Sequence, residues 1–214
     1  MTALPLTRPS RTPMLAAAVT IGWFGTAFLA SALGAFRTAP GAPPVALATA
    51  ALAPPLAVLA LALGSSRFRT WARGLDLRFL TLLQTWRVGG LAFLALLAVD
   101  ALPAAFALPA GLGDVAIGLT APLVAAFVVG RSSRLFVAWT AFGVADLVAA
   151  VTLGALYAAD PVGLRHSEVS TELMTALPMS LIPVFGVPIT LVAHTLSLIK
   201  LAGSADPHPL PGVR

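Results

Sequence analysis

Apolar residues fall in six long runs along the chain, separated by short segments that gather Arg, Gly, Pro and Ser. The runs cover 14–36, 44–64, 78–99, 110–130, 135–158 and 177–200. Each holds the roughly 20 predominantly apolar residues that cross about 30 Å of hydrocarbon as a helix. The pattern predicts an all-α polytopic membrane protein, a bundle of six transmembrane helices forming a single domain over residues 1–202. The fourth run is the hardest to start. Pro103 and Pro109 interrupt ALPAAFALPAG, so residues 101–110 are expected to form an outer loop or a short re-entrant piece. The last residues, GSADPHPLPGVR over 203–214, are polar and rich in Pro and Gly and read as a disordered tail on the cytoplasmic side.

Composition agrees with a bilayer as the solvent. Charged residues make up 10% of the chain, well below the roughly 25% of a soluble domain. Mean hydropathy is +0.94. Cysteine is absent, which excludes disulfides, thiol catalysis, thiolate zinc sites and iron–sulfur clusters. The formal net charge of +5 raises nucleic acid as a partner, but the placement of the charges follows membrane topology instead. With the N-terminus inside, the cytoplasmic segments carry Arg8, Arg11, Arg67, Arg69, Arg73, Arg78, Arg131, Arg134, Lys200 and Arg214. The outer loops carry only Arg37 and Arg165, beside Asp100, Asp160, Glu168 and Glu172. This asymmetry predicts both termini in the cytoplasm and an even number of spans.

Other readings of the flanking segments follow the same logic. Arg8, Arg11, an apolar stretch and Ala30-Ser31-Ala32 have the order of a secretory signal. The apolar stretch is long for one, so a retained first helix is expected. The segment SSRFRTWARGLDLR mixes Arg with Phe68, Trp71 and Leu75. It suits an ordinary positive-inside loop with an interfacial Trp, or a helix lying on anionic lipid. The pairs Trp23/Gly25, Trp86/Gly89 and Trp139/Gly143 recur on the outward-running helices, with spacings too variable for a regular repeat.

One cation lies deep inside an apolar run. Arg87 stands within FLTLLQTWRVGGLAFLALLAV, where insertion costs about 2.5–3.5 kcal/mol, and such a residue usually faces a partner, a cavity or a ligand. At about 1.5 Å per residue, Arg87 sits roughly 13 Å deep, Asp146 roughly 18 Å, and Gln84 and His194 roughly 9 Å. Thr81, Gln84 and Arg87 fall at i, i+3, i+6, and Thr190, His194 and Ser197 at i, i+4, i+7, each set broadly on one face. Two readings follow. In one, Arg87 holds an anionic ligand, Asp146 and Gln84 orient it, and His194 gates, ligates or moves a proton. In the other, Arg87 and Asp146 form a structural ion pair, with Gln84 and His194 as interhelical hydrogen-bond glue.

Asp114, in PAGLGDVAIGLTAP, is expected at the outer start of the fourth helix. There a carboxylate caps free N–H groups, or lines the mouth of an outward cavity. Pro178, Pro183 and Pro188, and likewise Pro54 and Pro55, predict kinks or broken helices. No metal site is expected, because no second His or Glu lies at the depth of Asp146 and His194. A bis-His haem on His194 needs a second axial ligand, and His166, His208, Met174 and Met179 are all distant, so a haem would use one His ligand only or a second subunit. Catalytic signatures of hydrolases, metalloproteases and nucleotide-binding loops are absent.

The stretch QTWRVGGLAFLALLAVDALPAAFALPAGLGDVAIGLTAPL, with the later HTLSL, resembles uncharacterised bacterial six-helix inner-membrane proteins. The resemblance covers about half the chain. It implies a multi-pass protein of the inner membrane, marks Gln84, Arg87, Asp114 and His194, and carries no activity. The expected function is binding or translocation of a small anionic or amphipathic ligand at Arg87, Gln84, Asp146, His194 and Asp114, as in a transporter. Two other classes remain: a haem- or quinone-associated redox subunit, and a non-catalytic accessory subunit. In the latter, small-residue faces such as Gly22/Gly25 and Gly111/Gly118 would meet a membrane partner or a second copy.

Overall fold

The computed structural model describes residues 11–38, 44–158 and 169–204, without the side chains of residues 11–13 and 204. The expectations for Arg8, Asp160, Arg165, His166, Glu168, His208 and the tail from 205 onward lie outside the described residues. All regular structure among the described residues is helical: α1 (Arg11–Ala32), α2 (Val45–Gly64), α3 (Ser66–Arg73), α4 (Leu77–Leu82), a 3₁₀-helix (Leu83–Gly90), α5 (Leu91–Ala98), α6 (Ala104–Phe127), α7 (Ser133–Leu156), a 3₁₀ turn (Glu172–Thr175), a π-turn (Ile182–Gly186) and α8 (Val187–Ser204). Among the described residues six helical stretches are long and apolar enough to cross a membrane: Met14–Ala32, Val45–Gly64, Leu77–Ala98, Ala104–Phe127, Ser133–Leu156 and Ile182–Gly203.

Two of these differ in their start from the sequence pattern. The fourth begins at Ala104 and carries Pro109 inside the helix. Proline there removes one N–H and frees the carbonyl of Ala105, and both residues lie on the exposed side of the end turn, where the penalty is small. The last begins at Ile182 instead of residue 177. Its three prolines divide the run, leaving turns up to Leu181 and a single π-turn before α8. The segment between the second and third spans folds as α3, capped by Ser65, whose hydroxyl accepts from the Phe68 N–H at 3.2 Å. Phe68 and Trp71 pack toward Ala72, Leu80, Ala193 and Leu196. Arg69 Nη1 donates to the carbonyls of Ala62 and Leu63, closing the end of α2.

The bundle is centred on α6 and α8. α6 packs against the 3₁₀-helix, α4 and α5 on one side and against α7 on the other, while α8 meets α2, α3, α4 and α7. The buried share rises from 11% for the first span to 44% for the fourth and 50% for the last, so the first helix is peripheral. α1 reaches the bundle at the π-turn, where Trp23 and Phe24 meet the Phe185 ring edge-on at centroid distances of 5.0 and 5.1 Å.

Candidate functional site

The third span explains how polar side chains reach the centre. A 3₁₀-helix has three residues per turn, so side chains at i and i+3 eclipse. Thr81, at the end of α4, then Gln84, Arg87 and Gly90 along the 3₁₀-helix, recur every third residue, and all four are buried. An α-helix would rotate this row around its axis; the 3₁₀ winding keeps Gln84, Arg87 and Gly90 on one line. Glycines let α6 lie directly on that line. A Cβ at Gly90 would stand 3.1 Å from the Gly111 carbonyl oxygen, and one at Gly118 would stand 2.9 Å from the Arg87 carbonyl carbon. The Gly111/Gly118 face therefore packs inside the chain and is not free for a partner. The Gly22/Gly25 face of α1 has open space around it.

Arg87 is fully buried, and every guanidinium nitrogen has an acceptor. Nε donates to Asp114 Oδ1 at 2.6 Å, Nη1 to the Gly143 carbonyl at 3.3 Å, and Nη2 to Asp146 Oδ2. Planar guanidinium donors matched to two carboxylates form a strong charge-assisted arrangement. Asp114 is thus not a cap at the start of the fourth helix. Because α6 begins at Ala104, Asp114 lies in its third turn, where the backbone N–H groups are already bonded and the carboxylate turns inward to Arg87. Arg87 consequently has two acidic partners, one from α6 and one from α7. An incoming anion would have to displace one of them.

His194 borders the same cluster. It is 1% exposed, and its Nε2 has no hydrogen-bond partner. A Cβ at Gly143 would stand 2.7 Å from that nitrogen and 3.3 Å from Arg87 Nη1. Glycine at 143 is what lets the imidazole and the guanidinium approach α7 together. Trp139, one turn earlier on α7, meets the His194 ring edge-on at 5.8 Å and donates from Nε1 to Thr120 Oγ1 at 2.9 Å. The imidazole is thus packed between Gly143 and the Trp139 ring. Among the described residues no group of three or more His, Cys, Asp or Glu is placed to hold a metal.

Gln84 faces a different space. With Phe24, Leu83, Trp86, Phe185 and Thr190 it lines a largely apolar cavity of about 370 Å³ between the third span, the π-turn and α1. Trp86 is seated on Gly186, where a Cβ would stand 3.0 Å from Cζ2, and its Nε1 donates to Thr190 Oγ1 at 3.2 Å. Thr190 in turn donates to the Gly186 carbonyl at 2.7 Å. Gln84 Nε2 reaches the Thr190 carbonyl at a long 3.5 Å, and its Oε1 has no partner.

The structure therefore brings Arg87, Asp114, Asp146 and His194 into one cluster and puts Gln84 one turn away, against a cavity. Sequence reasoning did not assign the Gly143 carbonyl, the Trp86–Thr190 bond or the cavity. Gly143 and Asp146 do stand at i, i+3 on one helix face, which was a usable signal. No match is found among curated proteins or solved structures. The profile of a domain of unknown function, DUF8737, matches residues 42–202, and the chain belongs to that family.

Proposed function

We propose that this protein binds, and translocates or presents, a small amphipathic molecule inside a multi-pass membrane bundle. The observation that carries this reading is the cavity at Gln84 and Trp86. Its volume of about 370 Å³ falls in the range of small-molecule sites, which are mostly apolar with few polar groups. Gln84 is a polar group at the cavity wall, and its buried Oε1 has no partner; a small turn of the side chain would offer it to a ligand hydroxyl or N–H, with the ligand's apolar body against Trp86, Ile182 and Phe185. Of the anionic and amphipathic ligands expected from the sequence, the amphipathic one has the better support, because Arg87 is engaged by two carboxylates.

In this reading both termini lie in the cytoplasm, an orientation supported by the excess of Arg and Lys on one set of loops, and the membrane is taken to be a bacterial inner membrane. Reporters fused at Arg214 and at Gly163 test the orientation: an outer C-terminus or an inner Gly163 loop would overturn it. Ligand binding is tested by native mass spectrometry of the full chain released from membranes. A small molecule retained by the wild type and lost in Gln84→Leu and Ile189→Trp is the expected result. Retention in both variants, or no molecule in any sample, would refute the reading. A retained quinone would move the protein to the redox class.

A further inference from the structure

The Arg87 cluster has unequal charges. One guanidinium faces two carboxyl groups, Asp114 from α6 and Asp146 from α7. With both ionised, the cluster carries a net charge of −1 in a region where the surrounding helices are apolar. Side-chain exposure is 0% for Arg87, 11% for Asp114 and 8% for Asp146, so water does little to screen the excess charge. An uncompensated charge in hydrocarbon is costly, and such groups mark ion and proton pathways in membrane proteins. The second observation is independent of the carboxyl count. His194, from α8, is 1% exposed, and its unpartnered Nε2 is directed at Gly143 beside Arg87 Nη1.

We propose that Arg87, Asp114, Asp146 and His194 form a proton-exchange site that holds one exchangeable proton. On uptake an O–H bond forms on one carboxylate oxygen as a hydronium or water donor gives up its O–H bond, on release the proton returns to water, and the cluster passes between −1 and neutral. The site is distinct from the cavity, whose polar group is Gln84. His194, whose buried Nε2 has no partner and lies beside Gly143 and Arg87 Nη1, is the further titratable group facing the cluster, and in this proposal it acts as the relay. A small cation is the competing occupant. It needs several oxygen ligands with open coordination positions, whereas Asp114 Oδ1 and Asp146 Oδ2 already accept from Arg87.

The test is infrared spectroscopy of the full chain in liposomes, titrated over pH in H₂O and D₂O. The expected result is a protonated carboxyl C=O band that is still present near neutral pH, where ordinary exposed carboxyls are ionised, and that varies with pH and shifts in D₂O. It should be lost in Asp114→Asn and in Asp146→Asn, because either change leaves one carboxylate matched to Arg87. His194→Gln should keep the band and slow its H/D exchange by on the order of 100-fold, the loss typical of removing a proton-transfer group. Three results would each overturn the proposal: no protonated carboxyl at any pH where the protein is folded, a band that persists in both Asn variants, or a band removed by sodium or potassium at constant pH. Unchanged exchange in His194→Gln would remove His194 from the site.

Discussion

Replacing Arg87 should cost far more than neutralising either of its acidic partners. Arg87→Met keeps the length and apolar stem of the side chain but leaves Asp114 and Asp146 facing each other without a cation. Removing one partner from a buried ion pair costs about 3–5 kcal/mol. Asp114→Asn keeps an oxygen to accept from Arg87 Nε and leaves one carboxylate for one guanidinium. Its cost is the difference between a charged and a neutral hydrogen bond, about 1 kcal/mol. The gap of about 2–4 kcal/mol corresponds to a change of roughly 30- to 1,000-fold in the folded-to-unfolded ratio. Titration of the full chain with SDS in mixed micelles, followed by helix content, reads this directly. The triple variant R87M/D114L/D146L should recover most of the loss, since replacing a buried ionic group by apolar residues of similar volume is often neutral or stabilising. Equal destabilisation by Arg87→Met and Asp114→Asn, or a triple variant no better than Arg87→Met, would refute the charge argument.

Gly143→Ala should destabilise by about 1–3 kcal/mol, because its methyl would stand 2.7 Å from His194 Nε2; adding His194→Ala should relieve most of that in the same titration. Trp86→Phe should cost about 1 kcal/mol through loss of the 3.2 Å bond to Thr190, and in a Thr190→Val background, which has also given up the 2.7 Å bond to the Gly186 carbonyl, Trp86→Phe should add much less. Gly118→Leu places a side chain where a Cβ already lies 2.9 Å from the Arg87 backbone, so the third span and α6 should separate. In the same SDS titration Gly118→Leu should destabilise far more than Gly22→Leu, which has open space around it.

Six apolar runs were readable in order because a helix long enough to cross a bilayer needs about 20 apolar residues, whatever the packing around it. Arg87 was readable for the same reason, since a cation in hydrocarbon stands out against its neighbours. Helix ends were less readable. Pro109 looked like a stop but is carried inside α6, because its freed carbonyl lies on the exposed side of the end turn. That single shift moves Asp114 from a helix start to the interior. The winding of the third span was hidden as well. Nothing in QTWRVGG separates α from 3₁₀ locally; the close approach of α6 at Gly111 and Gly118 accompanies it. The polar inventory belongs to the sequence. Which groups meet was decided by tertiary structure, because glycines at 90, 118 and 143 determine how near the helices come. The cavity at Gln84 has the same origin: it exists only where α1, the π-turn and the third span leave space between them.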